Sequence, residues 1–469
     1  MSDFREPVYE SDEFRMLLQK YEKLKNGTIS AFFDVEEFEQ IIDYFLDDFE
    51  FEEANKAAEL GSSQHPASVE IKYKIVHIHI EQGKSRKALS VLKEIPAWEH
   101  ANSEFHFLTG TALCLSGKHK EAEKSFDHAL SIATDDVFDA LINISIAFEN
   151  ARHFKLAIKY LNQALEISPD SLSVLYDLGY FHERVYRYED SIGFYNRYLD
   201  IDPFSENVWY NLGVVLFKLK QYRQAIEAYD YSIALNPDYA SAYFNKANAW
   251  ASLDRYDKAA ESFHEFIEIE TDNTQAICYL GDCYEHLGRY EEALETYKKV
   301  IEIDNTDAEG WFGAGMIYYH KNTYKEAIAY ILKALEFDNK NLDYWLNLGY
   351  IYEEAGMNKE AITCFKHVTK KDPDDREAWM GLTGLMLQEG MFDKVIPVLR
   401  EAYTHFSGDE NIAVKLAVAH IKSGNEKLGI SFLKRALSIS DTVYTEFEYY
   451  IPAPLQEPDI RAIINKYKS

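Results

Sequence analysis

The sequence predicts an all-α solenoid of about twelve 34-residue helix-turn-helix repeats with capping helices at both ends. Three observations carry this. The stretch "NVWYNLGVVLFKLKQYRQAIEAYDYSIALNP", Asn207 to Pro237, recurs at 34-residue shifts as "SAYFNKANAWASLDRYDKAAESFHEFIEIE", "AEGWFGAGMIYYHKNTYKEAIAYILKALEFDN" and "LDYWLNLGYIYEEAGMNKEAITCFKHVTKKDP". Counted from Glu206, the twentieth position of each unit is Ala54, Ala88, Ala122, Ala157, Ala225, Ala259, Ala293, Ala327 and Ala361, with Ser191, Val395 and Gly429 in the other three. Within each unit two apolar patterns of helical period are separated by a short break.

The units begin at Val35, Val69, Ser103, Phe138, Leu172, Glu206, Ala240, Thr274, Ala308, Leu342, Arg376 and Glu410, with one extra residue near Val137. They are called repeats 1 to 12 below. Apolar residues at positions 4, 7, 8 and 11 form the first helix stripe, and those at 20, 24 and 27 form the second. Position 15 is glycine at 83, 117, 288, 356, 390 and 424, where a helix is expected to stop in a left-handed residue. Position 32 is proline at 66, 169, 203, 237 and 373, ending the second helix. Repeats 1 and 2 carry Ile42 and Val76 at position 8, where a small residue is usual, and repeat 11 has Val395 at position 20 and Pro397 inside its second helix. Less regular packing, or a bend, is expected there.

The ends read as caps, which a solenoid needs over its open terminal faces. Residues 1–34 hold a tail and a helix starting at Ser11 or Asp12, with Phe14, Leu17, Leu18, Tyr21 and Leu24 on one face and a stop at Gly27. Residues 35–443 hold the twelve repeats. Residues 444–469 read as a degenerate repeat broken by Pro452 and Pro454, then a helix from Pro458 with Ile460, Ile463, Ile464 and Tyr467 on one face.

This pattern resembles the tetratricopeptide repeat, whose W-x2-L-G-x2-Y, A-x3-F and P signature it follows. The match is strongest from Glu206 to Asp375, with Trp209, Leu212, Gly213, Ala225 and Tyr229 at its start and Trp345, Leu348, Gly349, Tyr352, Ala361, Phe365 and Pro373 at its end. The resemblance implies a right-handed superhelix whose concave side is lined by the first helices.

Composition limits the functions available. The chain has 49 basic and 79 acidic residues, a formal charge of −30, which disfavours nucleic acid and anionic membranes as partners. The stretch Asp34 to Glu59 is the densest in acid, and is either solvated helix surface or a site for a basic partner. No stretch has the apolar length of a membrane span or of a signal peptide, so a cytoplasmic protein is expected. Cys114, Cys278, Cys283 and Cys364 form no CxxC pair and are expected as reduced packing thiols.

No catalytic or cofactor motif stands out. HExxH, phosphate-binding glycine loops and nucleophile elbows are missing. His77 and His79 lie two apart, on different sides of a helix, which does not suit a shared metal. Gly281 and Gly315 occupy position 8, where packing explains them. No catalytic residue, metal or cofactor is expected.

What remains is binding. In the family resembled, positions 2, 5, 6, 9, 12 and 13 face the groove. Here they include Tyr176, Tyr180, Tyr210, Phe244, Tyr279, Phe312 and Tyr350, which either pad neighbouring helices or form a recognition surface. The carboxylate clamp of some members is unsupported, because the required cations are not in place. Asn143, Asn211, Asn245 and Asn347 all occupy position 6 and resemble the asparagine ladder of the sugar-transferring members, in which each amide grips a peptide backbone. Asp177, Tyr279 and Gly313 interrupt it, leaving Asn211 and Asn245 as the best pair. The expected function is a non-catalytic scaffold binding a basic or aromatic-rich protein or peptide in the groove. The alternatives are a regulatory or accessory subunit of an enzyme complex, or a self-assembling structural protein.

Overall fold

A computed structural model describes residues 9, 11–133, 136–452 and 457–467. Pro454, the outermost tail and the last two residues of the expected C-terminal cap lie outside the described residues. The chain divides into two compact units, Met1–Pro237 and Asp238–Ser469, each taken by itself. Among the described residues the regular structure is helical throughout, with no strand.

First helices begin at Val35, Val69, Ser103, Val137, Leu172, Glu206, Ala240, Thr274, Ala308, Leu342, Arg376 and Glu410. The extra residue of repeat 4 is thus absorbed at the helix start, where Val137 follows a left-handed Asp136. Many of these helices are capped by a side chain: Asp34 forms a capping box with Glu37, and Ser68, Asn102, Asn273, Asp307, Asn341, Asp375 and Asp409 each accept a backbone N–H. In four repeats the position-4 indole fastens the helix to the turn before it. Trp209, Trp311, Trp345 and Trp379 donate to the carbonyls of Pro203, Asn305, Asn339 and Pro373 at 2.8–3.1 Å.

The corner between the two helices has one backbone geometry throughout. Position 15 is left-handed in all twelve repeats, at the six glycines and equally at Phe49, Arg152, Tyr186, Lys220, Asp254 and Asn322, with φ from 54° to 62° at these six non-glycine residues. An L-residue there costs roughly 1–2 kcal/mol relative to right-handed backbone, so packing of the helix pair outweighs local preference at half the corners.

The pair closes on a small residue at position 8 under a large one at position 24. A Cβ on Gly213 would stand 2.5 Å from the Tyr229 ring, and one on Gly349 would stand 2.7 Å from Phe365. Repeats 1 and 2 were expected to pack less regularly, but Ile42 and Val76 are fully buried. In repeat 1 the large residue has moved to the other side of the contact, since position 24 there is Ala58. Val395 is likewise fully buried, and the helix Phe392–His405 runs through Pro397 without a break.

Both caps are built from the stripes expected. Phe14 and Tyr21 are buried on the helix Asp12–Lys25, whose N-cap is Ser11. Ile460 and Ile464 are buried on the helix Pro458–Tyr467, with Ile463 and Tyr467 packed against the same core. The four cysteines are free and buried, and burial pushes the thiols of Cys114, Cys283 and Cys364 up to about 12. No helix among the described residues is long and apolar enough to cross a membrane.

Candidate functional site

The first-helix face is the surface left over once positions 3, 7, 8 and 10 enter the core, as Tyr344, Leu348, Gly349 and Ile351 do in repeat 10. The aromatic side chains expected on it are all half-buried and rest on neighbouring rings. Tyr176 meets Tyr195 at 6.3 Å, and Tyr210 meets Tyr229 at 6.0 Å. Tyr180 lies beside Phe181 at 5.7 Å. In the second unit Phe244 meets Tyr279 at 5.9 Å, Phe312 stacks on Tyr344 at 4.4 Å, and Tyr350 meets Phe365 edge-on at 5.1 Å.

The four asparagines share a position and differ in environment. Asn211 donates its amide N–H to the Tyr176 hydroxyl at 3.1 Å, across to position 5 of the preceding repeat. Asn347 has Phe312 at that place, which offers no hydroxyl, and its amide donates instead to the Asp343 carbonyl of its own helix at 2.8 Å. Asn143, which also follows a phenylalanine, Phe107, is exposed and lines a cavity of about 300 Å³ with Phe107, Leu130 and Asp139. Asn245 is half-buried and engaged; it belongs to the second compact unit, whereas Asn211 belongs to the first.

Repeats 9 and 10 form a second cavity, about 370 Å³, lined by Tyr319, Asn347, Tyr350, Ile351, Glu353 and Glu354. All six come from two first helices, Ala308–His320 and Leu342–Glu354. Glu354 accepts the hydroxyls of Tyr319 and Tyr324, both at 3.1 Å. Burial, reinforced by the Glu354 charge and partly offset by Lys415, holds the Glu353 carboxyl above the ordinary range. Burial also lifts the Tyr350 phenol, with help from Glu377, Asp375 and Glu353, to about 12, so it is neutral at physiological pH.

Other carboxylates on this face have different surroundings. Glu183 is paired with Lys218 at 2.6 Å. Asp177 is lifted to about 6, chiefly by burial and then by the Glu149 charge. Asp282 accepts the Tyr297 hydroxyl at 2.6 Å, and its carboxyl is raised by burial. Several acids of the Asp34–Glu59 stretch are engaged within the protein, Asp43 by Lys74 at 2.7 Å and Glu53 by Lys25 at 2.9 Å and Lys56 at 2.8 Å.

Sequence reasoning did not single out Glu353 and Glu354. They sit at positions 12 and 13, and the signal was available there: position 12 is also glutamate at Glu149, Glu183 and Glu285. The dependence of Asn347 on the residue at position 5 of the repeat before it was equally open to reading.

Family models described as tetratricopeptide repeat match residues 143–206, 206–239, 240–273 and 318–385, and one described as TPR repeat matches 281–322. The chain is 28% identical over 104 residues to the photosystem I assembly protein Ycf3 of Acaryochloris marina, a match covering 21% of this chain and 62% of that protein. Among solved structures it is similar to MamA, at 26% identity and a TM-score of 0.35, over 37% of this chain and 94% of that one. It is also similar to a tetratricopeptide repeat protein from Parabacteroides merdae, at 18% identity and a TM-score of 0.41, over 53% and 99%. With the signature residues in their packing roles and the family models matching successive repeats, the chain belongs to the tetratricopeptide repeat family.

Proposed function

We propose that the chain is a non-catalytic protein-interaction scaffold that holds an extended segment of a partner protein on its first-helix face. The observation that carries this reading is the cavity of repeats 9 and 10. It is walled by first-helix residues of two successive repeats and combines aromatic surface with an amide and carboxylates. Such a mixture suits peptide capture: rigid rings supply contact area at low entropic cost, and fixed polar groups set the register. The free, buried thiols support a reducing, cytosolic setting.

A role as an accessory factor for a larger complex draws support from the Ycf3 match, since that relative is named an assembly protein. The two readings share one surface and differ in the partner. The test is affinity capture from the native cell with the wild type and with a Tyr319→Ala, Asn347→Ala double variant, circular dichroism serving as folding control. The reading expects the partner to be lost from the folded double variant. Full retention would move the binding surface elsewhere.

A further inference from the structure

We propose that the cavity of repeats 9 and 10 is an anchor for one lysine or arginine side chain of the partner segment, an inference that rests on the first-helix face being the partner surface. The size fits a side chain. At about 370 Å³ the cavity lies at the lower end of ligand sites, which run from about 300 to 1,000 Å³.

The chemistry of the lining selects a cation. The Asn347 amide already has one N–H committed to the Asp343 carbonyl, and the Tyr319 hydroxyl is committed to Glu354. Glu353 has no hydrogen-bond or ion-pair partner among the described residues, so both its oxygens remain acceptors, alongside Asn347 Oδ1. An ammonium brings three donors and a guanidinium five, and neither brings an acceptor that would compete. The rings of Tyr319 and Tyr350 add a face to which a cation is attracted. An anionic side chain would meet Glu353 and Glu354 directly, and a purely apolar one would leave Glu353 desolvated and unpaired.

Lys415, whose charge reaches Glu353, does not fill this role. Lys415 is 4% exposed, 3.6 Å from Glu446 and 3.2 Å from the Met380 carbonyl, and is committed there. The overall charge of −30 also favours approach of a basic segment.

Proton linkage follows. Glu353 faces Glu354 and Tyr350 on its own helix, Tyr319 from Ala308–His320, Lys415 from Glu410–Lys422 and Tyr450 from Tyr444–Tyr450. A cation binds the ionised carboxylate, so affinity should rise with pH as Glu353 loses its raised proton.

The test uses the full chain and fluorescently labelled eight-residue peptides alternating glycine with lysine, arginine, norleucine or glutamate, read by anisotropy. Lysine and arginine peptides are expected to bind, and Glu353→Gln to weaken them about tenfold, as for loss of one hydrogen bond to a charged group. Glu302→Gln changes the net charge equally at an exposed site on a second helix, and should leave binding within about twofold, as for a rim charge. Equal weakening by both variants reduces the effect to general electrostatics and overturns the anchor. Norleucine binding as tightly as lysine overturns the anchor and leaves the first-helix reading standing. Binding of none of the peptides, with no change in the groove tyrosine fluorescence, overturns both.

Discussion

Repeats 5 and 6 and repeats 9 and 10 place the same amide at the same position; the first pair ties it to the preceding repeat, and the second leaves it lining a cavity of about 370 Å³. Asn211 is held by Tyr176. Asn347 follows Phe312, is turned onto its own helix, and lines the cavity with Tyr350 and Glu353. The charges differ in the same sense: Glu183 is ion-paired with Lys218, whereas Glu353 forms no ion pair among the described residues and feels only the Lys415 charge, which is committed to Glu446. The repeat therefore fixes where a side chain stands, and the residue at position 5 of the preceding repeat differs with the amide's partner: across to Tyr176 for Asn211, and back onto its own helix, at Asp343, for Asn347 beside Phe312.

The largest effect is expected where both regions rest on the same packing. A Cβ at Gly179 would stand 2.5 Å from the Tyr195 ring, and one at Gly349 would stand 2.7 Å from Phe365. Gly179→Val and Gly349→Val should each cost about 3 kcal/mol, the upper range for overpacking, measured by urea denaturation. A cost confined to one of them would show that the two regions are not built alike.

Next in size come the corners. Repeat 5 turns at Tyr186, with φ of 62°, and repeat 10 at Gly356, with φ of 72°. Gly356→Ala should destabilise by about 1 kcal/mol because alanine is strained at positive φ. Tyr186→Gly should stabilise by about 0.5 kcal/mol, the relief of strain exceeding the added chain entropy. Thermal melts of both variants against wild type check the opposite signs.

The asparagines follow. Asn211→Ala and Tyr176→Phe should each cost about 1 kcal/mol, the net worth of one hydrogen bond, and their double variant little more than either alone. Asn347→Ala, whose bond is local, should be close to neutral in stability. A double-mutant cycle that shows additivity would remove the Tyr176 bond as the cause of the difference.

A further effect is one of pH. Asp177 titrates near 6 in the folded state, above its ordinary 3.8, through burial and the Glu149 charge. Between those values the folded chain holds more protons than the unfolded one, so this residue lowers stability as pH rises through that window. In Asp177→Asn the melting temperature should fall less between pH 4 and pH 7, a range flanking the shift. An unchanged slope would show that Asp177 is not the group responsible.

The array was legible from the sequence because its causes are local and repeated. Ala225 and Ala259 recur where helices close, Gly213 stands where a ring must pass, and Ile460 and Ile464 mark a helix with one apolar side. Corners at Phe49, Arg152, Tyr186, Lys220, Asp254 and Asn322 were not legible, because packing of the pair, and no preference of the residue, sets their backbone. The roles of the asparagines were only half legible. Their common position 6 was plain, but the partner of each is set by a residue one repeat away, Tyr176 in one case and Phe312 in another. The recurrence of glutamate at position 12 was open to reading, but which of these acids goes without an ion pair, as Glu353 does while Glu183 has Lys218, depends on residues of other repeats.

A partner is expected to dock on the first-helix face of repeats 9 and 10. A photo-crosslinking phenylalanine analogue at Tyr319, in that cavity, and at Tyr231, 57% exposed on a second helix, tests it in the native cell. A covalent adduct with one partner protein is expected from Tyr319 and none from Tyr231. An adduct from Tyr231 alone would contradict it.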